Sequence, residues 1–207
     1  SVHAHGNVVR ARKQVKTYIE LLKQADAFGK PMVDTEMGFS HWRLDIDAIS
    51  AANALRKILY HWAVGFKGVI TYSTRDQGGP RLSANARALW GTLDHNFCPR
   101  FKYGVLATFL QTFAGAQFEK THLETPHVIA YEFNSPDGPL VALFTPQTHP
   151  HDAVSVTVET SASAITTFDP MGNPTTRDGS TVTVNPDLYP VLLQIPRGAI
   201  QTVRIHD

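Results

Sequence analysis

The chain has 207 residues, of which 43% are hydrophobic and 18% charged, with a formal net charge of +1. That composition fits one large or two small soluble domains with a real core, and it gives no electrostatic case for nucleic acid or an anionic membrane as partner. One cysteine, Cys98, excludes an internal disulfide framework and is neutral on compartment, and no apolar run is long enough for a membrane span.

The chain opens without an initiator methionine or a visible signal peptide, and Ser1 to Gly6 reads as a strand entered midway. A piece of a longer polypeptide is therefore expected. In this hexamer Val2 and Ala4 face one way, His3 and His5 the other. Val9 to Phe28 follows as a helix, with Val15, Ile19, Leu22 and Ala25 at helical spacing and Gly29 as its stop.

Lys30 to Gly38 predicts a short buried strand opened by Pro31. A period of two puts Met32, Asp34 and Glu36 on one face, and Val33, Thr35 and Met37 on the other. Glu36 is last on its face and so stands at the carboxyl end of the strand. α/β sheets hold and transform ligands at that end. A loop with His41, Trp42 and Arg43 leads to Asp47, the expected N-cap of a helix over Ala48 to Val64. Its apolar face carries Ile49, Ala52, Leu55, Ile58, Leu59 and Trp62.

Gly68 to Ser73 predicts a second buried strand, with Tyr72 near its end, followed by a Gly-rich loop from Arg75 to Pro80. Leu82 to Leu93 reads as a short helix or irregular insertion. Pro99 starts a last helix that ends near Gly115, with Tyr103, Leu106, Ala107, Leu110 and Phe113 inward. Strands alternating with helices in this way mean parallel βαβ units.

From about Phe118 the pattern becomes all-β. Strands are expected at His127 to Asn134, Pro139 to Thr145, Ala153 to Thr160, Ala164 to Asp169, Ser180 to Val184, Tyr189 to Ile195 and Gln201 to Ile205. Turns are expected at Ser135 to Gly138, Pro170 to Asn173, Arg177 to Gly179 and Pro196 to Gly198. This spacing indicates an antiparallel β-sandwich. The expected organisation is thus an α/β region over residues 1–117 and an all-β domain over 118–207.

Three successive strands offer His5, Glu36 and Tyr72 at comparable positions. A carboxylate flanked by an imidazole and a phenol can have its charge and orientation fixed by hydrogen bonds, as a nucleophilic carboxylate requires. For most of these residues two readings stay open. His5 is a partner of Glu36 or a buried histidine with a structural bond, and His3, one layer deeper, reads as packing. Tyr72 belongs to a site or to the core. Trp42 stacks on sugar or anchors its loop. Arg75 and Asp76 bind substrate hydroxyls or pair with each other. Asp34, deeper on the Glu36 face, reads as part of a structural network. His149, His151 and Asp152 are metal-ligand types in a turn, where a solvated role is expected, and no cofactor is called for.

Pro31 to Gly38, as P-x-V-x-T-E-x-G, resembles the seventh strand of retaining glycoside hydrolases of the large (β/α)8 clan that includes families 5 and 39. Ser1 to Gly6 resembles the sixth strand, and Gly68 to Ser73 with Arg75 and Asp76 the eighth. Trp90-Gly91-Thr92-Leu93-Asp94 through Pro99, Arg100 and Tyr103 resembles the stretch leading into the final helix. Phe168 to Asn173 and Pro190 to Pro196 are similar to the C-terminal β-domain often attached to such barrels.

The resemblance covers nearly the whole chain. It implies the C-terminal part of a TIM barrel, about strands six to eight, then a β-sandwich. It implies a glycosidase acting by double displacement, with Glu36 as nucleophile, His5 orienting it, and Tyr72, Trp42, Arg75 and Asp76 near substrate. The partners it implies are a saccharide or glycoside and the missing N-terminal barrel half, and a secreted or periplasmic location is favoured over the cytoplasm. Two departures are visible. The family's acid/base Glu ends the fourth strand and has no equivalent here, and Thr71 and Tyr72 stand where the eighth strand usually carries a sugar-stacking Trp. The competing class is a non-catalytic carbohydrate-binding or structural module. A different α/β hydrolase is disfavoured, because no G-x-S-x-G elbow is present and Cys98 has no evident base.

Overall fold

A computed structural model describes residues 1, 3–4, 6–38, 47–76, 91–146, 154–187, 189–196 and 199–206. The chain divides into two compact units, Ser1–Gly104 and Val105–Asp207. The sequence reading draws its boundary later, between residues 117 and 118.

In the first unit, α1 (Val8–Gln24) is capped by Asn7, whose side chain accepts from the Arg10 N–H at 3.0 Å. It buries Val8, Ala11 and Val15, a face shifted from the expected one. It also stops before Gly29, because Asp26 takes a left-handed conformation (φ 51°) and the Ala27 N–H closes back on the Leu22 carbonyl.

β1 (Met32–Met37) and β2 (Phe66–Thr71) pair in parallel, as the βαβ pattern requires, with α2 (Asp47–Ala63) between them in the chain. The register passes from Asp34↔Val69 to Met37↔Thr71, so β1 carries one residue more than β2 over this step. This bulge corrects the predicted faces. Met32, Asp34 and Met37 are buried, and Glu36 is displaced from that face.

α2 is buried on nearly all sides, where the sequence predicted a single apolar face. Its buried residues include a polar stripe, Ser50, Asn53, Lys57 and His61, at helical spacing. The Asp47 carboxylate accepts from the Phe101 N–H at 3.1 Å, so it caps the start of α3 (Phe101–Thr112) as well as opening its own helix. In α3 the predicted inward face is corrected in part. Phe113, just past its end, is buried as expected, but Tyr103 and Leu110 are 50% and 68% exposed, and Lys102, Val105 and Phe109 are buried instead. The helix is apolar all round, so periodicity alone does not select a face. The expected strand at the N-terminus is absent among the described residues, where Ser1, His3, Ala4 and Gly6 join no ladder.

The second unit holds two antiparallel sheets. One has the order β3 (Gln117–Glu124), β4 (Ile129–Asn134), β5 (Leu140–Phe144), β10 (Val191–Gln194), β7 (Ala164–Phe168), β8 (Pro174–Asp178). The other has the order β11 (Ile200–His206), β6 (Ser155–Thr160), β9 (Thr181–Val184). A single apolar cluster draws on both sheets, with Val141 and Leu193 from the first and Val156, Val158 and Val182 from the second. The sequence reading missed β3 and β8, the two edges of the six-stranded sheet. Edge strands carry polar residues on purpose, and β8 is exposed along its whole length. The expected Arg177–Gly179 turn begins one strand end later for the same reason, with Gly179 at φ 119°.

On the other face of the larger sheet, Phe133 is fully buried between Phe113 and Phe118, at ring separations of 5.1 and 5.8 Å. Phe133→Ala is expected to cost about 3–5 kcal/mol, read as a lowered midpoint of urea unfolding with an unchanged slope.

Candidate functional site

The candidate site lies at the carboxyl ends of β1 and β2. Glu36 is 37% exposed, and its Oε2 stands 3.1 Å from Nδ1 of His3, itself 54% exposed. The sequence reading assigned this contact to His5 and took His3 for packing. The structure brings His3 to the carboxylate, while His5 lies outside the described residues. The bulge in β1 is what leaves the Glu36 carboxylate partly open where strict alternation would bury it.

Beneath this contact lies a group of fully buried ionisable side chains. Asp34 accepts from the Ala4 N–H at 3.3 Å and from the Glu36 N–H at 3.1 Å. Lys57 donates to the Ala4 carbonyl at 3.1 Å and to the Gly38 carbonyl at 2.6 Å. His61 Nδ1 donates to the Lys57 carbonyl at 2.6 Å, because a carbonyl oxygen can only accept. Its Nε2 comes within 3.0 Å of Asp34 Oδ2 without hydrogen-bond alignment. Asn53 completes the α2 stripe by accepting from the Val8 N–H at 3.3 Å, at the start of α1. Only the network role of Asp34 was read from sequence. A helical stripe of Asn, Lys and His at positions 53, 57 and 61 was the signal for its partners.

Burial sets the protonation of the two lysines. Desolvation lowers Lys57 from 10.5 to about 7; the charge of Asp34 works against this and that of Lys102 with it. Desolvation likewise lowers Lys102 to about 8, opposed by Asp47 and Asp76 and assisted by Arg100. A cavity of about 10 Å³, lined by both lysines with Met37, Gly38 and Tyr72, has room for about one water.

Tyr72 is half-buried, and its N–H donates to the Met37 carbonyl at 2.9 Å, extending the β1–β2 contact past the last paired residues. Arg75 is exposed, with its guanidinium 4.6 Å from the centre of the Phe97 ring. Asp76 is buried and pairs with Arg100, which donates from Nε at 2.8 Å and from Nη2, while the Gly91 N–H donates to its other oxygen at 2.7 Å. Of the two readings open for these residues, the mutual Arg75–Asp76 pair does not form. Each charge takes its own partner, and both oxygens of Asp76 are occupied inside the fold. Gly91 is required there, since a Cβ would come within 2.3 Å of the Asp76 nitrogen and the Leu93 oxygen.

Sequence reasoning also missed Phe97, which is 63% exposed at φ 66°. Asp94 shapes its loop by accepting from the Cys98 and Asn96 N–H groups at 2.9 and 2.8 Å. The Cys98 bond foremost holds the Asp94 carboxyl below the usual range. Trp42, His149, His151 and Asp152 lie outside the described residues. Among those described, no three His, Cys, Asp or Glu side chains converge as metal ligands, and no helix is long and apolar enough to cross a membrane.

The lysine shifts have a stability consequence. The unfolded chain keeps these protons up to about pH 10.5, whereas the folded chain releases them near 7 and 8. The unfolded state binds more protons across that window, so unfolding free energy rises with pH from about 7 towards 10.5 on their account. Thermal melts of the chain and of Lys57→Met should show a Tm rise over this range that is smaller in the variant.

No family model and no curated protein matches the sequence. Among solved structures, a family 39 glycoside hydrolase from the gut symbiont Bacteroides cellulosilyticus WH2 superposes with a TM-score of 0.69 at 19% identity, over 87% of this chain and 37% of that one. A glucosidase from Croceicoccus marinus gives 0.56 at 12% identity, over 93% and 52%. A GH30 endoxylanase from Clostridium papyrosolvens C71 gives 0.50 at 14% identity, over 86% and 44%. The chain thus has a fold found in glycoside hydrolases and spans between 37% and 52% of their lengths.

Proposed function

We propose that this chain is the nucleophile-bearing part of a retaining glycoside hydrolase, with Glu36 as the nucleophile. The observation that carries the reading is the partly open Glu36 carboxylate at the end of a parallel strand, with Nδ1 of His3 at 3.1 Å. The shared fold supports it. The first unit would then supply about the last three strands of a (β/α)8 barrel, and the second unit an appended β-sandwich.

In the first step a Glu36 oxygen bonds to the anomeric carbon as the glycosidic C–O bond breaks. The leaving oxygen takes a proton from a carboxylic acid located upstream of this chain. In the second step water attacks the same carbon, gives its proton to that acid, and releases Glu36. For retention the two carboxyl groups stand about 5–5.5 Å apart. His3 holds the carboxylate, and Tyr72, Trp42, Arg75 and the exposed Phe97 are the candidates for sugar contact. Asp76 is too enclosed by Arg100 and Gly91 for that role.

In the intact enzyme, Glu36→Gln is expected to lower kcat/KM by about 10⁴-fold or more. An activated fluoroglycoside should label Glu36 in the wild type, as read by peptide mass spectrometry. Turnover near the wild-type level in the variant would overturn the assignment.

As an isolated polypeptide the chain is expected to turn over no aryl glycoside, because the acid/base is supplied from elsewhere. Adding the upstream barrel half in trans should restore activity. Full turnover by the 207-residue chain alone would refute this. Labelling also separates the competing reading, a non-catalytic carbohydrate-binding or structural module, in which Glu36 stays unmodified.

A further inference from the structure

We infer that Asp34 is a positioning residue: buried with Lys57 and His61 of α2, it fixes the backbone on both sides of the His3–Glu36 contact. Beyond the Gly6 N–H, which donates to the Gly38 carbonyl at 3.1 Å, the N-terminal segment joins no ladder with β1 among the described residues, so the backbone groups of Ala4 need other partners. Asp34 and Lys57 supply them. Asp34 takes the Ala4 N–H, one residue after His3, and also the N–H of Glu36 itself. Lys57 takes the Ala4 carbonyl and the Gly38 carbonyl, two residues past Glu36. The two side chains therefore reach the backbone beside each partner of the contact.

Their burial makes this clamp stiff. Asp34, Lys57 and His61 are all fully buried, and the His61 ring packs edge-on against Phe66 at 4.7 Å. In such surroundings charge-assisted hydrogen bonds are strong and a lost partner is costly. The bulge adds the geometry. It frees the Glu36 N–H from the β2 ladder step and turns it onto the Asp34 carboxylate two residues earlier. Asp34 touches no substrate in this scheme and acts only through His3 and Glu36. Its effect on turnover rests on the glycosidase reading; its effect on the contact does not.

The test uses the intact protein with histidine-selective isotope labelling. The His3 ring signals are assigned by substitution and compared near neutral pH in the wild type, Glu36→Gln, Asp34→Asn and Lys57→Met. Asp34→Asn and Lys57→Met should each move the His3 signals at least halfway to their Glu36→Gln positions. The signals of His122 and His206, both in the second unit, should stay in place. The rate of Glu36 labelling by an activated fluoroglycoside should fall about 10²-fold in both variants.

Wild-type His3 signals in a folded Asp34→Asn protein would overturn the inference. Should Asp34→Asn fail to fold, Lys57→Met places an apolar stem in the same buried site and is judged by the same criterion. If Glu36→Gln retains turnover, the glycosidase reading falls, while the His3 signals still decide whether Asp34 positions the contact.

Discussion

The first unit depends on how a segment outside any ladder is held against the end of β1. Backbone N–H and C=O groups taken out of water must be paired. Here the pairing comes from the polar stripe of α2 and from Asp34. Asn53 serves the start of α1, Lys57 serves Ala4 and Gly38, and Asp34, backed by His61, serves Ala4 and Glu36. Burying a lysine is costly, and desolvation is the main cause of the fall of Lys57 to about 7. An apolar helix face would avoid the penalty but would take their side-chain partners from the Val8 N–H and the Ala4 carbonyl.

The same arrangement explains why the site sits where it does. A regular β1 would bury Glu36 beside Asp34, two carboxylates on one buried face. The extra residue in β1 puts Met37 there and leaves Glu36 at the rim beside His3. Farther along the same edge, Asp76 and Arg100 lock the segment around Gly91, and Asp94 holds the loop that presents Phe97. The carboxylates thus divide by environment. Asp34 and Asp76 are enclosed and spend their oxygens on the fold, and Glu36 keeps part of its surface open. In the second unit the two sheets share an apolar cluster, and the larger sheet packs aromatic rings on its other face.

Much of this was legible in the residues. The Lys30–Gly38 strand, its parallel partner, the helix between them and most strands of the β-rich half follow from periodicity and turn chemistry. The strands that were missed are polar edges, where alternation is blurred by design. The α3 face was misread because apolar residues surround that helix, so several faces fit the pattern equally. His3 was set aside for His5 because a regular strand was assumed at the N-terminus, and that segment forms none among the described residues. Adjacency left a mutual Arg75–Asp76 pair open, but Phe97 and Arg100, distant in sequence, are their partners.

By itself the sequence determined where the helices and most strands lie and that an acid ends the strand after the first helix, since those properties are carried by local residue order. Tertiary structure alone decided which way that acid turns, which histidine meets it, and which charges are buried beneath it. A one-residue bulge reverses a strand's facing, and a buried ion's partners come from elements far apart in the chain.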